Sequence, residues 1–192
     1  MGRAAKQIEV MTLDEFFAVY DGVAEKYELV DGVPRVMAAS KPDHAIIQSN
    51  ALAPIAIDLC KLGGPCRAVP EAPIIFRNFG RDNFCVPDIV VDCTGKPSPG
   101  RSFENPLLIA EVLSPSNEKQ TWDSIRAYAT LPSLKEILVL ESLKREAQVL
   151  RRLPDGSWGS EADMTKDHGA VTLKCLDLTI ELSEMYAGTT LQ

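Results

Sequence analysis

The fold of this chain is decided by Val86-Pro87-Asp88-Ile89-Val90-Val91, together with Leu107-Leu108-Ile109-Ala110-Glu111-Val112-Leu113. Each stretch is an apolar run that carries one carboxylate, and short runs of this composition are typical of buried strands. Burial of a carboxylate without a partner has a high free-energy cost, so we expect each of these acids to have a partner or a function. Asp88 and Glu111 lie 23 residues apart, which leaves room for one strand, a loop and a neighbouring strand. The two carboxylates can therefore converge, and two hard oxygen donors suit a Mg²⁺ ion.

Length and composition limit the classes of protein to consider. The chain has 192 residues, of which 45% are hydrophobic, so we expect residues 1–192 to form a single domain with a proper core. Residues 1–10 are mixed and polar, and we expect a flexible N-terminal extension there. No long apolar run or secretory leader is visible, so we expect no membrane span and a cytoplasmic location. The net charge of −7 disfavours a generic nucleic-acid coat but leaves room for a local basic groove.

The cysteines do not follow a metal-binding or disulfide pattern. There are five of them, with no CxxC pair, and only two histidines could add imidazole ligands. We therefore expect neither a zinc site nor a disulfide framework, and we interpret the thiols as structural side chains.

A β-hairpin is predicted around Asp31-Gly32, a dipeptide favoured in two-residue turns. Alternation along its first strand places Glu28 and Val30 on one face, and Tyr27 and Leu29 on the other. Glu28 is thus a third acid on a strand. Periodicity alone favours an exposed hairpin carboxylate over a catalytic one by about two to one.

Two helices are predicted in the first third of the chain. Thr12-Leu13-Asp14-Glu15 has the form of a capping box, so a helix is expected from there to Tyr20. Helical spacing of apolar residues predicts a long helix after Pro42-Asp43-His44, with a kink or a restart at Pro54. His44 at its start can contact a substrate phosphate or a metal site, although a lone histidine there is more often a surface or capping residue.

The remaining elements alternate between strands and helices. Further strands are expected over 68–69, 72–76, 84–86, 136–141 and 147–152, edge strands over 171–173 and 178–180, helices after Ser114-Pro115-Ser116 and over 182–186, a turn over 77–83 and a surface loop over 94–105. This order indicates an α+β (mixed α/β) fold in which a mixed β-sheet is flanked by helices.

Three motifs in this order resemble one known family. Tyr27-Glu28-Leu29-Val30-Asp31-Gly32, Val86-Pro87-Asp88-Ile89 and Glu111-Val112-Leu113-Ser114-Pro115-Ser116 follow a Met-Thr-Leu-Asp-Glu-Phe opening. Together they are similar to the Uma-two family of "putative restriction endonucleases", within the PD-(D/E)XK nuclease superfamily. The resemblance runs from Met11 to about Tyr186.

The resemblance implies a restriction-endonuclease-like core and a site for Mg²⁺, or Mn²⁺ in its place. Asp88 and Glu111 would bind the metal with the main-chain carbonyl of Val112, and Glu28 would be the additional N-terminal acid of the catalytic set. The implied reaction is metal-dependent hydrolysis of DNA phosphodiester bonds. We expect a homodimer, because two symmetric sites are the simplest way to cut two strands.

One position departs from the superfamily pattern. Leu113 stands where a lysine is expected two residues after Glu111, and in relatives that lysine is supplied from the following helix. The candidates here are Lys119, which can equally be a solvated charge, and Arg126, which is a poor general base because it stays protonated.

Other interpretations therefore stay open. The chain can be a catalytically degenerate nuclease-fold protein that acts as a nucleic-acid-binding or regulatory module. Alternatively, both acids can simply be paired with Arg or Lys within the sheet. Four basic residues can be phosphate contacts or ordinary loop charges: Arg77, Arg81, Lys96 and Arg101.

Overall fold

The computed structural model describes residues 10–94 and 102–191. Residues 1–9 of the predicted extension, and Lys96 and Arg101, lie outside the described residues. The elements in chain order are α1 (Leu13–Tyr20), β1 (Tyr27–Val30), β2 (Val33–Val36), α2 (Pro42–Leu62), β3 (Arg67–Pro70), β4 (Ile74–Asn78), β5 (Arg81–Cys85), β6 (Ile89–Asp92), β7 (Pro106–Leu113), α3 (Glu118–Tyr128), β8 (Glu136–Glu141), β9 (Glu146–Arg151), β10 (Asp163–Lys166), β11 (Ala170–Leu173), β12 (Leu178–Glu181) and α4 (Leu182–Met185).

A six-stranded mixed sheet forms the centre of the fold, in the order β10-β9-β8-β7-β6-β3. β7 pairs antiparallel with β6 on one side and parallel with β8 on the other. A parallel pair needs a crossover connection, and α3 supplies it between β7 and β8. The mixed sheet between helices confirms the predicted fold class.

The two faces of this sheet bury different partners. Alternate residues such as Val91 and Ala110 face α2, whose buried positions include Ile47 and Ile55. The other alternate residues, among them Ile109, pack with α3 and with the second sheet. The buried residues of this second core cluster are Val30, Ala72, Ile74, Cys85, Val90, Ile109, Leu113, Ile125, Ala127, Tyr128, Leu131, Leu134, Ile137 and Val139. Strand alternation therefore assigns one face to each helix, and Asp88 and Glu111 belong to the α3 side.

The second sheet has four strands in the order β2-β1-β5-β4. Its β1–β2 hairpin turns at Asp31 and Gly32, which have φ angles of 50° and 75°, as a two-residue turn of this type requires. The predicted hairpin is confirmed. The capping box at the start of α1 is also present, since Thr12 and Glu15 exchange hydrogen bonds with each other's backbone N–H.

Several local expectations are wrong. The turn predicted over 77–83 is only the two residues Phe79-Gly80, between β4 and β5. Both residues have positive φ, a conformation that is uncommon for phenylalanine and therefore not expected from the sequence. β11 and β12 form a separate two-stranded sheet instead of adding edges to the large one. Of the two alternatives predicted for Pro54, the restart is excluded, because α2 runs through Pro54 as one helix with the nearby Ala51 and Ile55 fully buried. Burial of this face offsets the hydrogen bond that the proline cannot make.

The expectation that the cysteines do not form disulfides is wrong for one pair. Cys66 and Cys93 are joined by a disulfide. The two cysteines flank β3 and β6, and these strands are antiparallel neighbours in the sheet. The pairing of β3 with β6 was not predicted, and it is this pairing that brings the two cysteines together. Such a bond is more typical of oxidising compartments and does not support the expected cytoplasmic location.

α2 is also long and apolar enough to cross a membrane by length and composition alone. In the structure its buried residues pack against the central sheet, as in the core helix of a globular domain.

Candidate active site

Three acids predicted from the sequence line one cavity. Glu28, Asp88 and Glu111 all border a space of about 500 Å³ that lies between the β1–β2 hairpin, the N-terminal end of α2, β7 and α3. The strands position the acids, and α3 closes one side of the cavity through the stripe Asn117, Gln120, Thr121, Ser124 and Tyr128. Residues at this spacing share one helix face.

Asp88 and Glu111 are neighbours across two paired strands. Ile89 and Ala110 are partners in the antiparallel β6–β7 pair, and Asp88 lies one residue before Ile89 while Glu111 lies one residue after Ala110. The two acids are therefore directly opposite each other, on the same face. The convergence that the sequence suggested is present in the structure.

The carboxylate of Asp88 is held at both oxygens. His44 Nε2 lies 2.9 Å from Oδ1, and the main-chain N–H of Val112 donates to Oδ2 at 2.7 Å. Gln48 donates from Nε2 to the main-chain oxygen of Asp88 at 2.7 Å. Of the two possibilities raised for His44, contact with the site is the one that the structure shows, and the residue is 6% exposed.

Glu111 is buried beside a tyrosine hydroxyl. The residue is 8% exposed, and Tyr128 donates from its hydroxyl to Oε1 of Glu111 at 2.9 Å. Burial raises the pKa of Glu111 well above its usual range, the charges of Asp88 and Glu28 raise this pKa further, and the Tyr128 hydrogen bond opposes them. Burial is thus the main cause of the raised pKa, and the neighbouring negative charges of Asp88 and Glu28 add to it.

Glu28 borders the same cavity from β1. Its Oε1 accepts a hydrogen bond of 2.7 Å from the main-chain N–H of Val86, two residues before Asp88. Burial raises the pKa of Glu28 to about 7, against the opposing effects of the Val86 hydrogen bond and the nearby Arg35 guanidinium. The alternative in which Glu28 is an exposed hairpin carboxylate does not describe this side chain, because Glu28 borders the cavity and is hydrogen-bonded there.

Neither basic candidate from α3 lines the cavity. Lys119 is exposed, and Arg126 has a side chain that is 66% exposed and pairs with Asp123. Neither Lys119 nor Arg126 lies on the face of α3 that lines the cavity with Thr121, Ser124 and Tyr128. The basic side chains that border the cavity among the described residues are instead Lys26, Arg35 and His44.

Arg35 and Tyr128 are the site residues that the sequence reasoning missed. A signal for Arg35 was present, because a two-residue turn at Asp31-Gly32 fixes the hairpin register and makes Arg35 the cross-strand partner of Glu28. No comparable signal pointed to Tyr128, since its contact depends on how α3 packs against β7.

The alternative in which the acids are merely paired within the sheet is not what the structure shows. Over residues 10–94 and 102–191, no arginine or lysine forms an ion pair with Asp88 or Glu111. Arg77 pairs with Asp82 at the β4–β5 hairpin.

The donor set fits a hard divalent cation that takes few protein ligands. Asp88 and Glu111 offer carboxylate oxygens, and a cation between them would neutralise the repulsion that raises the pKa of Glu111. No group of three or more His, Cys, Asp or Glu side chains among the described residues is arranged to hold a metal. Mg²⁺ commonly keeps several waters and binds through one or two carboxylates, so two are sufficient.

The fold matches that of a solved protein structure. A solved structure described as "a putative nuclease belonging to DUF820" from Anabaena variabilis superimposes with a TM-score of 0.74 at 19% identity, over 92% of this chain and 98% of that chain. At this identity the likeness establishes the fold alone.

The family is established by the sequence itself. Residues 13–183 match the sequence model of Uma2, described as "Putative restriction endonuclease". The match covers most of the chain, so the protein belongs to the Uma2 family, as its three motifs indicated. A comparison with curated proteins gives no match.

Proposed function

We propose that this protein is a divalent-metal-dependent endonuclease that hydrolyses phosphodiester bonds in DNA. One observation carries the proposal: Asp88 and Glu111 face each other across β6 and β7, in a cavity open to a substrate, without an arginine or lysine partner among the described residues. No arginine or lysine ion pair among the described residues explains two such acids, and the His44 contact reaches only Asp88, whereas a bound cation accounts for both. Membership of the Uma2 family supports the same reaction class.

Asp88 and Glu111 would hold the cation, Mg²⁺ or Mn²⁺, with the main-chain carbonyl of Val112 as a further ligand. The chemistry that such an ion supplies when bound is activation of water and neutralisation of charge on the phosphate and on the leaving oxygen. Each carboxylate oxygen has two lone pairs, so an oxygen of Asp88 or Glu111 can bind a metal while it accepts its hydrogen bond.

The chain's own residues orient these acids. His44 and the Val112 N–H fix the two oxygens of Asp88, and Gln48 fixes its backbone. Tyr128 fixes Glu111 from α3. Ligands held in this way need little rearrangement when a metal binds, and such supporting contacts are typical of metal sites.

One observation favours a second candidate function. Leu113, at the position of the expected lysine, is 3% exposed and packs in the core with Ile125 and Tyr128. A chain that lacks this lysine can retain the fold and bind nucleic acid or a regulatory partner without cutting.

Plasmid cleavage separates the two candidates. Purified protein is incubated with supercoiled plasmid and Mg²⁺ or Mn²⁺, beside Asp88→Ala, Glu111→Ala and the matched control Glu161→Ala, which removes an exposed acid far along the chain. The nuclease proposal expects nicking or linearisation by the wild type and the control, and none by either site variant. Cleavage that persists in both site variants, or no cleavage by the wild type with either metal, contradicts it.

We propose further that the active form is a homodimer, because two symmetric sites can cut both strands in one encounter. A cytoplasmic location is proposed from the sequence expectation alone, and the Cys66–Cys93 disulfide does not support it. Light scattering of the purified protein with and without a DNA duplex measures the dimer directly, and a monomer under both conditions contradicts it. Fractionation of the source cells tests the location.

A further inference from the structure

Arg35 brings a guanidinium to the wall of the cavity. It lies on β2, directly opposite Glu28 in the β1–β2 register, and its side chain is 21% exposed. It borders the same cavity as Asp88 and Glu111. Lys26, by contrast, is 69% exposed at the rim and pairs with Glu71.

The guanidinium of Arg35 is anchored on one side only. Its Nη2 lies 3.4 Å from Oδ2 of Asp123 on α3. Its Nη1 is buried and has no hydrogen-bond partner within residues 10–94 and 102–191. A buried N–H without an acceptor is unfavourable, and a ligand oxygen at this position would satisfy it.

The chemistry of the missing ligand follows from the donor and its surroundings. An arginine fork matches the oxygens of a phosphate group, and it remains charged at any physiological pH. A phosphodiester could contact a cation at Asp88 and Glu111 and the Arg35 guanidinium together, and the proposed reaction supplies such a group.

We infer that Arg35 binds the phosphate of the substrate DNA and supplies the positive charge that the chain lacks at Leu113, with Asp123 holding the guanidinium in place. This inference rests on the proposed nuclease function and adds to it the residue that contacts the substrate. Under this inference a residue of β2 supplies the positive charge that, by the resemblance described above, a lysine after the metal-binding acid or on the following helix supplies in relatives.

Arg126 offers a matched control, because it is an arginine that pairs with the same carboxylate of Asp123 but does not border the cavity. Binding of a fluorescein-labelled DNA duplex is measured by anisotropy in Ca²⁺ over a range of salt concentrations. We expect Arg35→Ala to weaken binding about tenfold and to reduce the slope of log affinity against log salt by about one. Arg126→Ala should leave the affinity within about twofold.

Two further variants separate charge from geometry. Arg35→Lys keeps the charge but not the fork, so it should retain the salt slope and recover only part of the affinity. Asp123→Asn removes the anchor, and it should weaken binding less than Arg35→Ala. Arg35→Lys also keeps the test decisive if Arg35→Ala fails to fold, which thermal unfolding of each variant reports.

The failure of this inference is distinguishable from failure of the proposed function. If the wild type cuts plasmid and Arg35→Ala binds and cuts as Arg126→Ala does, the role of Arg35 is refuted and the nuclease function stands. If the wild type neither binds nor cuts DNA, both are refuted.

Discussion

His44 Nε2 lies 2.9 Å from Asp88 Oδ1, and this contact ties the first turn of α2 to the residue that precedes β6. The other ring nitrogen, Nδ1, lies 3.3 Å from Ser114 Oγ just after β7. The imidazole therefore has a contact at each nitrogen, which fixes the ring and in turn the Asp88 carboxylate.

Removal of this imidazole should loosen the metal site. We expect His44→Ala to lower the plasmid cleavage rate about 10- to 100-fold and to raise the Mg²⁺ concentration needed for half-maximal rate. His44→Gln, which can place an amide near Asp88, should recover part of both. His168→Ala is the control, since His168 is exposed. A rate and Mg²⁺ dependence in His44→Ala equal to those of His168→Ala would exclude a positioning role.

The hydroxyl of Tyr128 should contribute to stability through Glu111. Tyr128→Phe leaves Oε1 of a buried carboxylate without its donor, which should reduce the free energy of unfolding by roughly 1–3 kcal/mol. Because this hydrogen bond favours the charged form of Glu111, the loss should be larger at alkaline than at acidic pH. Urea unfolding of Tyr128→Phe and of the partly exposed control Tyr20→Phe measures it. A pH-independent loss would contradict the assigned partner.

Stability should fall as pH rises in the metal-free protein, because Glu28 holds its proton more tightly when folded. Its pKa is raised from 4.5 to about 7, so between these values the folded state binds more protons than the unfolded chain. The free energy of unfolding therefore decreases through this window, by at most on the order of 3 kcal/mol from this residue. Chelator-treated wild type unfolded in urea at about pH 5 and about pH 8 measures the decrease.

Glu28→Gln should flatten that dependence, because the amide does not titrate, and Glu161→Gln should not. Glu111 adds a decrease of the same sign, since its pKa is also raised. Identical pH slopes for the wild type and Glu28→Gln would show that Glu28 titrates normally in the folded protein.

The sequence identified the acids and the fold because both have local signals. A carboxylate within an apolar strand run is conspicuous, and Asp31-Gly32 determines a turn type and hence a hairpin. The strand alternation that assigns Asp88 and Glu111 to one face follows from period-two geometry once β6 and β7 are paired.

The basic residues of the site could not be assigned in the same way. Whether Lys119 or Arg126 faces the cavity depends on the rotation of α3, and packing of Ile125 and Tyr128 against the sheet sets that rotation. Arg35 is the exception because the hairpin register places it opposite Glu28, whereas His44 reaches the site from α2 through a contact that is long-range in sequence. The Cys66–Cys93 bond was missed for the same reason, since it joins the ends of strands 27 residues apart in sequence.

The central claim is that Asp88 and Glu111 bind one divalent cation together, and titration of Mn²⁺ into the metal-free protein, followed by calorimetry or electron paramagnetic resonance, tests it most directly. We predict one Mn²⁺ per chain and an affinity at least about tenfold weaker in Asp88→Asn and in Glu111→Gln. The double variant should lose little further affinity, because neither carboxylate alone binds the ion well. Wild-type affinity in both single variants, or no Mn²⁺ bound by the wild type, would contradict the claim.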